Sequence, residues 1–153
     1  LQTRYLDDEG NVHILKREDH NFGYRKSFFM EHPNYLILDV MLQLKPGNKA
    51  EIVALINDLQ QRRREKQPLE FPSAGSTFKR PEGHFAGKLI QDAGLGGYCI
   101  GGAQVSSKHC GFIINSNNAT SSDIHALIQH VQDVVCKQFD VKLECEIRFL
   151  GEE

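Results

Sequence analysis

The hydropathy pattern of this chain predicts an α+β fold in which antiparallel strands pack with helices. Three observations carry that prediction. Near the end of the chain Val141, Leu143, Cys145, Ile147 and Phe149 alternate with Lys142, Glu144, Glu146 and Arg148, the two-residue period of a strand. Upstream, Ile124, Leu127, Ile128, Val131, Val134 and Val135 recur three and four residues apart, the period of an amphipathic helix. Segments of both kinds occur in mixed order along the sequence.

The elements follow from the first residue onward. Thr3 to Leu6 and Val12 to Lys16 flank the turn-rich Asp7-Asp8-Glu9-Gly10-Asn11 and read as a hairpin. Tyr35 to Leu44 alternates, is rich in β-formers and stops at Lys45-Pro46-Gly47, which predicts a longer strand. Helical spacing of Ile52, Leu55, Ile56 and Leu59 predicts a helix from about Asn48 to Arg64, ended before Pro68. Ser73 to Pro81 reads as a loop. A short helix over Phe85 to Asp92 is stopped by Gly94, and a glycine turn to Gly97 follows. Ala103 to Val105 and Phe112 to Asn115 read as strands. The long helix starts with Ser122 or Asp123 as its N-cap, and Val141 to Leu150 forms the last strand.

The 153 residues suffice for one substantial core, or for a small domain plus the margin of another. The net charge is -2, and the 18 Lys and Arg residues are dispersed, so no electrostatic footprint for nucleic acid is present. The one basic run, Arg62-Arg63-Arg64, closes a predicted helix, where cations offset the macrodipole. Cys99, Cys110, Cys136 and Cys145 show no metal or redox spacing, so reduced thiols in the cytoplasm are expected. No apolar run approaches the roughly 20 residues of a membrane span. The chain opens on Leu1 in strand-like sequence, from which a missing N-terminal part is expected.

Ser73-Ala-Gly-Ser-Thr-Phe-Lys-Arg-Pro81 gathers a hydroxyl, an adaptable backbone and two cations, a combination suited to an anion. The bland reading, a turn with solvated cations, stands beside it. Ser76-Thr77-Phe78-Lys79 has the S-x-x-K spacing of serine acyl enzymes but lacks the K-T-G and S-D-N partners. Gly83 to Lys88 is one residue short of a phosphate loop and continues with Leu89. His125 and His130 lie five apart, and no metal site is expected. On residues alone, Glu146 and Arg148 read as a cross-strand ion pair on a solvated sheet.

Four segments in order, FGYRKSFF (Phe22 to Phe29), PSAGSTFKRPEGHFAGKLIQDAGL (Pro72 to Leu95), IGGAQVSSKHCGFIIN (Ile100 to Asn115) and LECEIRFLGE (Leu143 to Glu152), resemble the C-terminal half of the UDP-N-acetylenolpyruvoylglucosamine reductases. This is the UDP-N-acetylmuramate dehydrogenase or MurB family, here of its shorter type. The resemblance implies the end of an FAD-binding domain over residues 1–66 and a substrate-binding C-terminal domain over 67–153. It implies FAD and NADPH as cofactors, UDP-N-acetylglucosamine enolpyruvate as substrate, cytoplasmic peptidoglycan synthesis as the setting, and neither nucleic acid nor membrane as partner.

It also implies site residues. Ser76 resembles the general acid that protonates C2 of the enolpyruvyl group. Arg25, of a Y-R-x-S motif with Tyr24, and Glu146, of an E-x-R motif, resemble the pair that holds the substrate carboxylate and its enolic intermediate. A guanidinium suits this role by its planar fork, whereas a carboxyl helps there only when it carries or shares a proton. Tyr24, Lys66, Arg80, Lys79 and Gln91 fall where the family contacts substrate, Lys66 opening a K-x-P pattern. Arg63 and Arg148 fall near the flavin. Two positions depart from the pattern: Gly96 stands where many relatives have lysine, and Arg80 where the longer type has asparagine. The glycine loop for the flavin pyrophosphate is absent, so the resemblance implies a fragment, inactive by itself, that lacks its N-terminal FAD-binding region. A rival reading from another class is a noncatalytic module that holds a nucleotide-sugar diphosphate.

Overall fold

Asp7 organises the first turn of the chain, because its carboxylate accepts hydrogen bonds from the amides of Glu9 and Asn11 at 3.0 and 2.8 Å. In the computed structural model, which describes residues 1–151, that turn joins β1 (Gln2–Leu6) to β2 (Val12–Lys16) in the expected antiparallel hairpin. Strand β3 (Leu36–Met41) adds to the other edge of β1, giving the order β2-β1-β3. It is shorter than the Tyr35 to Leu44 expected, and its register shifts at Arg4/Tyr5. A 3-10 turn over Arg17–His20 and a one-turn helix α1 (Phe28–Glu31) were not foreseen. Four-residue helical pieces carry too little periodicity to read.

Tyr5 is the centre of this small unit. Its ring meets those of Phe28, Phe29 and Tyr35 at centroid distances of 5.7, 5.4 and 5.3 Å, contacts that add to area burial. Beneath it, the buried His20 ring lies 2.7 Å from the Lys16 carbonyl through Nδ1 and 2.8 Å from the Thr3 hydroxyl through Nε2. A carbonyl only accepts, so Nδ1 donates to it.

Helix α2 (Lys49–Lys66) matches the expected span within two residues. Its apolar stripe does not meet a core: Ile52, Leu55, Ile56 and Leu59 are about half exposed, and none of its residues is buried. The face of β3 is likewise uncovered, with no residue of Leu36–Met41 buried. Periodicity records which face is apolar, not what covers it.

The chain divides into two compact units, Leu1–Glu51 and Ile52–Glu153. In the second, the segment expected to be a loop forms strand β4 (Ser73–Ser76). With β5 (Cys99–Ile100), β6 (Ala103–Val105) and β7 (Phe112–Asn115) it makes an antiparallel sheet in the order β4-β7-β6-β5. Helix α3 (Ala86–Asp92) and helix α4 (Ser121–Phe139) are the two helices of this unit that pack on its core. The α4 N-cap is Thr120, two or three residues before the position expected. Its hydroxyl accepts from Asp123 N while the Asp123 carboxylate accepts from Thr120 N, a reciprocal capping box.

Leu127, Ile128, Val131 and Val135 of α4, Leu89 and Ile90 of α3, Val105, Ile113, Phe78 and Leu143 form one core. Each such side chain is worth roughly 1.5–3 kcal/mol on burial. The last segment, expected as a continuous strand from Val141, is reduced to one bridge, Phe78↔Cys145. Its alternation still places Leu143 in the core with Val141, Cys145 and Ile147 against it. Glu152, the end of the fourth quoted segment, lies outside the described residues.

Candidate functional site

In the first unit, Tyr24 and Arg25 occupy the two central positions of a tight turn. Gly23 N donates to Lys26 O at 3.0 Å and Lys26 N to Gly23 O at 3.3 Å, which closes it. Arg25 takes a φ of 55°, the left-handed region that an L-residue occupies only when its surroundings impose it. Both side chains are exposed, and the guanidinium sits 5.9 Å from the Tyr24 ring centroid. A turn apex of this kind projects an aromatic ring and a planar cation together.

In the second unit, β4 and β7 pair at Ser73↔Ile114 and Ser76↔Phe112, so three steps along β4 match two along β7. The extra residue is a bulge, and Gly75 within it has a φ of 88°. The bulge leaves Ser76 exposed while Thr77 and Phe78, the next two residues, are buried. The Ser76 hydroxyl donates to Phe78 O over 3.3 Å, a long bond that a ligand can readily displace.

The C-terminal segment runs beside this stretch. Glu146 N donates to Thr77 O and Lys79 N to Glu144 O, each at 2.8 Å, and Cys145 Sγ donates to Thr77 O at 3.5 Å. Burial pushes the Cys145 thiol up from its ordinary value. Ser76 and Glu146, 70 positions apart in sequence, thereby flank one residue, Thr77. The Lys79 ammonium pairs with the Glu144 carboxylate at 3.0 Å. The Arg80 guanidinium lies 4.0 Å from the centroid of the Phe85 ring and its Nε donates to His84 O at 3.3 Å, so a planar cation is oriented from two sides.

The structure thus places Ser76, Lys79, Arg80 and Glu146 on two segments, 76–80 and 144–146, that are bonded side by side through their main chains. Other expected residues are more distributed: Arg63 and Lys66 are in the last turn of α2, Gln91 is on α3 and Arg148 is near the end of the described chain, all exposed. Arg63 Nε donates to the Gln67 side chain at 3.0 Å. The S-x-x-K spacing loses its meaning here, because Ser76 is extended and Lys79 is tied to Glu144, whereas a lysine assisting a serine three positions away needs a helical turn. His125 meets Phe149 at a tilted angle of 51° and His130 stacks on Tyr98. Among the described residues no group of three or more metal-ligating side chains occurs, and no helix is long and apolar enough to cross a membrane.

Sequence reasoning missed Thr77, Glu144 and Phe85. Glu144 stood on the polar face of the last strand, but only the pairing of that strand with residues 77–79 shows that it meets Lys79. Nothing local marked Thr77, which is bonded by Gly111, Ile113, Cys145 and Glu146, all far along the chain.

The model of the UDP-N-acetylenolpyruvoylglucosamine reductase C-terminal domain matches residues 67–150. The UDP-N-acetylenolpyruvoylglucosamine reductase of Clostridium botulinum (strain Alaska E43 / Type E3) is 51% identical over 152 residues, which cover 99% of this chain and 50% of that protein. The protein of the same name from Clostridium kluyveri (strain NBRC 12016) is 53% identical over 151 residues, 99% of this chain and 49% of its own. Among solved structures, UDP-N-acetylenolpyruvylglucosamine reductase (MurB) from Thermus caldophilus superposes with a TM-score of 0.76 at 33% identity, covering 95% of this chain and 51% of that one. The chain spans about half the length of the curated relatives it matches.

Proposed function

The chain belongs to the UDP-N-acetylenolpyruvoylglucosamine reductase family, and from that premise we propose that it is the C-terminal half of a flavin- and NADPH-dependent reductase. Its substrate is UDP-N-acetylglucosamine enolpyruvate and its product UDP-N-acetylmuramate, made in the cytoplasm for peptidoglycan. Residues 1–66 are the end of the FAD-binding domain and 67–153 the substrate-binding domain. The observation that carries this reading is the bulge-exposed Ser76 hydroxyl held beside the Glu146 backbone by Thr77.

The described residues do not by themselves enclose a flavin. The chain covers only about half of each curated relative, and the apolar faces of β3 and α2 are left uncovered. Hydride chemistry therefore belongs to FAD held mainly by sequence that this chain does not span, and the polypeptide alone is inactive.

The role of this chain's own residues is to manage charge and a proton. Reduction at C3 puts negative charge on C2 and the adjoining carboxylate. Arg25 takes the carboxylate in its planar fork, and Glu146 joins it in holding the enolic intermediate. The Ser76 O–H bond then breaks as a C–H bond forms at C2, and the alkoxide recovers its proton from solvent. Arg80, Lys66, Tyr24 and Gln91 hold the diphosphate and sugar end. Lys79 joins them only by leaving Glu144, and an exposed pair of that kind costs no more than about 1 kcal/mol to open.

The test is Ser76→Ala in the protein with its flavin domain complete. NADPH oxidation that depends on the enolpyruvyl sugar is expected to fall roughly 10²–10⁴-fold with little change in substrate affinity. A variant that loses affinity instead, or a flavin-loaded protein that ignores this substrate, would favour the noncatalytic diphosphate-binding module.

A further inference from the structure

We propose that Thr77 is a positioning residue: its side chain holds the strand carrying Ser76 and the segment carrying Glu146 in a single register. The proposal rests on the reductase reading for its kinetic part and on geometry for the rest. The β4 bulge removes a main-chain acceptor that β7 would otherwise meet. Gly111 O is satisfied by Thr77 N at 2.8 Å, but the next inward donor, Ile113 N, finds the Thr77 hydroxyl oxygen instead, at 3.1 Å. Thr77 is 2% exposed and Ile113 is 6% exposed, so water is a poor substitute.

Locking the Thr77 side chain onto β7 fixes the direction of its carbonyl. That carbonyl accepts Glu146 N at 2.8 Å and Cys145 Sγ at 3.5 Å. Phe78↔Cys145 continues the pairing on the next residue. The general acid precedes Thr77 by one residue and the main-chain amide of Glu146 is bonded across from it, so a rotation at Thr77 displaces both residues. Residue 77 therefore requires a hydroxyl acceptor of small volume, and a β-branched apolar residue of the same shape fills the space without the bond.

The test compares Thr77→Val and Thr77→Ser in the protein with its flavin domain complete. In Thr77→Val, amide hydrogen exchange at Ile113 and Glu146 is expected to accelerate roughly 10-fold or more while Val131 in α4 is unchanged. Its kcat for the enolpyruvyl sugar should fall roughly 10- to 100-fold at nearly constant KM, the size of loss that misplacement by about 1 Å causes. Thr77→Ser should restore both to within about threefold. Unchanged exchange at Glu146, a kcat within about twofold of the parent, or a serine variant as impaired as valine overturns the proposal. If Thr77→Val does not fold, Thr77→Ala is read by the same criteria. If the parent protein shows no substrate-dependent oxidation, the reductase reading fails, and exchange at Glu146 and Ile113 alone decides whether Thr77 positions the pair.

Discussion

Gly75→Ala separates the shape of the Ser76 bulge from its packing. An added Cβ at Gly75 would meet nothing within 4 Å, yet φ is +88°, so the whole cost is conformational. Holding an L-residue on that side of φ costs about 1–2 kcal/mol, and the reduced freedom of the unfolded chain returns about 0.4–1 kcal/mol. The net destabilisation is therefore roughly 1 kcal/mol. With a urea slope of about 2 kcal/mol/M, typical for a small protein, the unfolding midpoint moves by about 0.5 M. Gly94 is the control, because it too has open space and a positive φ, +75°, but it terminates α3 away from the bulge. Gly94→Ala should lose a similar amount of stability with turnover intact, whereas Gly75→Ala should also lower kcat by about 10-fold through a re-aimed Ser76. Urea titration of both variants, with steady-state kinetics in the protein with its flavin domain complete, checks this. Equal turnover in the two variants, or no stability loss in either, would refute the argument that backbone conformation at residue 75 aims the hydroxyl.

Removing the α4 cap by Thr120→Ala is expected to cost about 1 kcal/mol, read as a lowered urea midpoint of the second unit. The Asp7 carboxyl is held down at about 2, first by its bond to the His13 ring and then by the Asn11 amide. A depressed carboxyl stabilises the folded hairpin above its unfolded value near 4, so that contribution disappears as pH falls from about 4 to about 2. An NMR titration should show a carboxyl midpoint near 2 with Asn11 amide exchange rising in the same window, and Asp7→Asn should abolish that pH dependence. Burial raises the Cys110 and Cys145 thiols while Cys99 is exposed. Alkylation near pH 7 followed by peptide mapping should therefore label Cys99 well before either.

The sequence by itself determined what depends on neighbours within a few residues. The hairpin is set by the turn chemistry of Asp7 to Asn11 and the α4 core face by the three- and four-residue spacing from Ile124 to Val135; in the last segment alternation predicts the burial of Leu143 but not the exposure of Phe149, which the same face was expected to bury. The family resemblance, carried by local motifs, nominated Ser76, Arg25 and Glu146 for the proposed chemistry, whereas the residues alone left Glu146 as one half of a solvated ion pair. Tertiary structure alone decided how those residues are held. Ser73 to Ser76 becomes a strand only because β7 is there to pair with it, and the bulge exists only in that pairing. Thr77 gains its importance from Ile113 and Glu146, which lie 36 and 69 positions further along the chain. A β-ladder joins such residues through main-chain bonds that every residue type except proline can make, so their partnership leaves no local mark in the sequence.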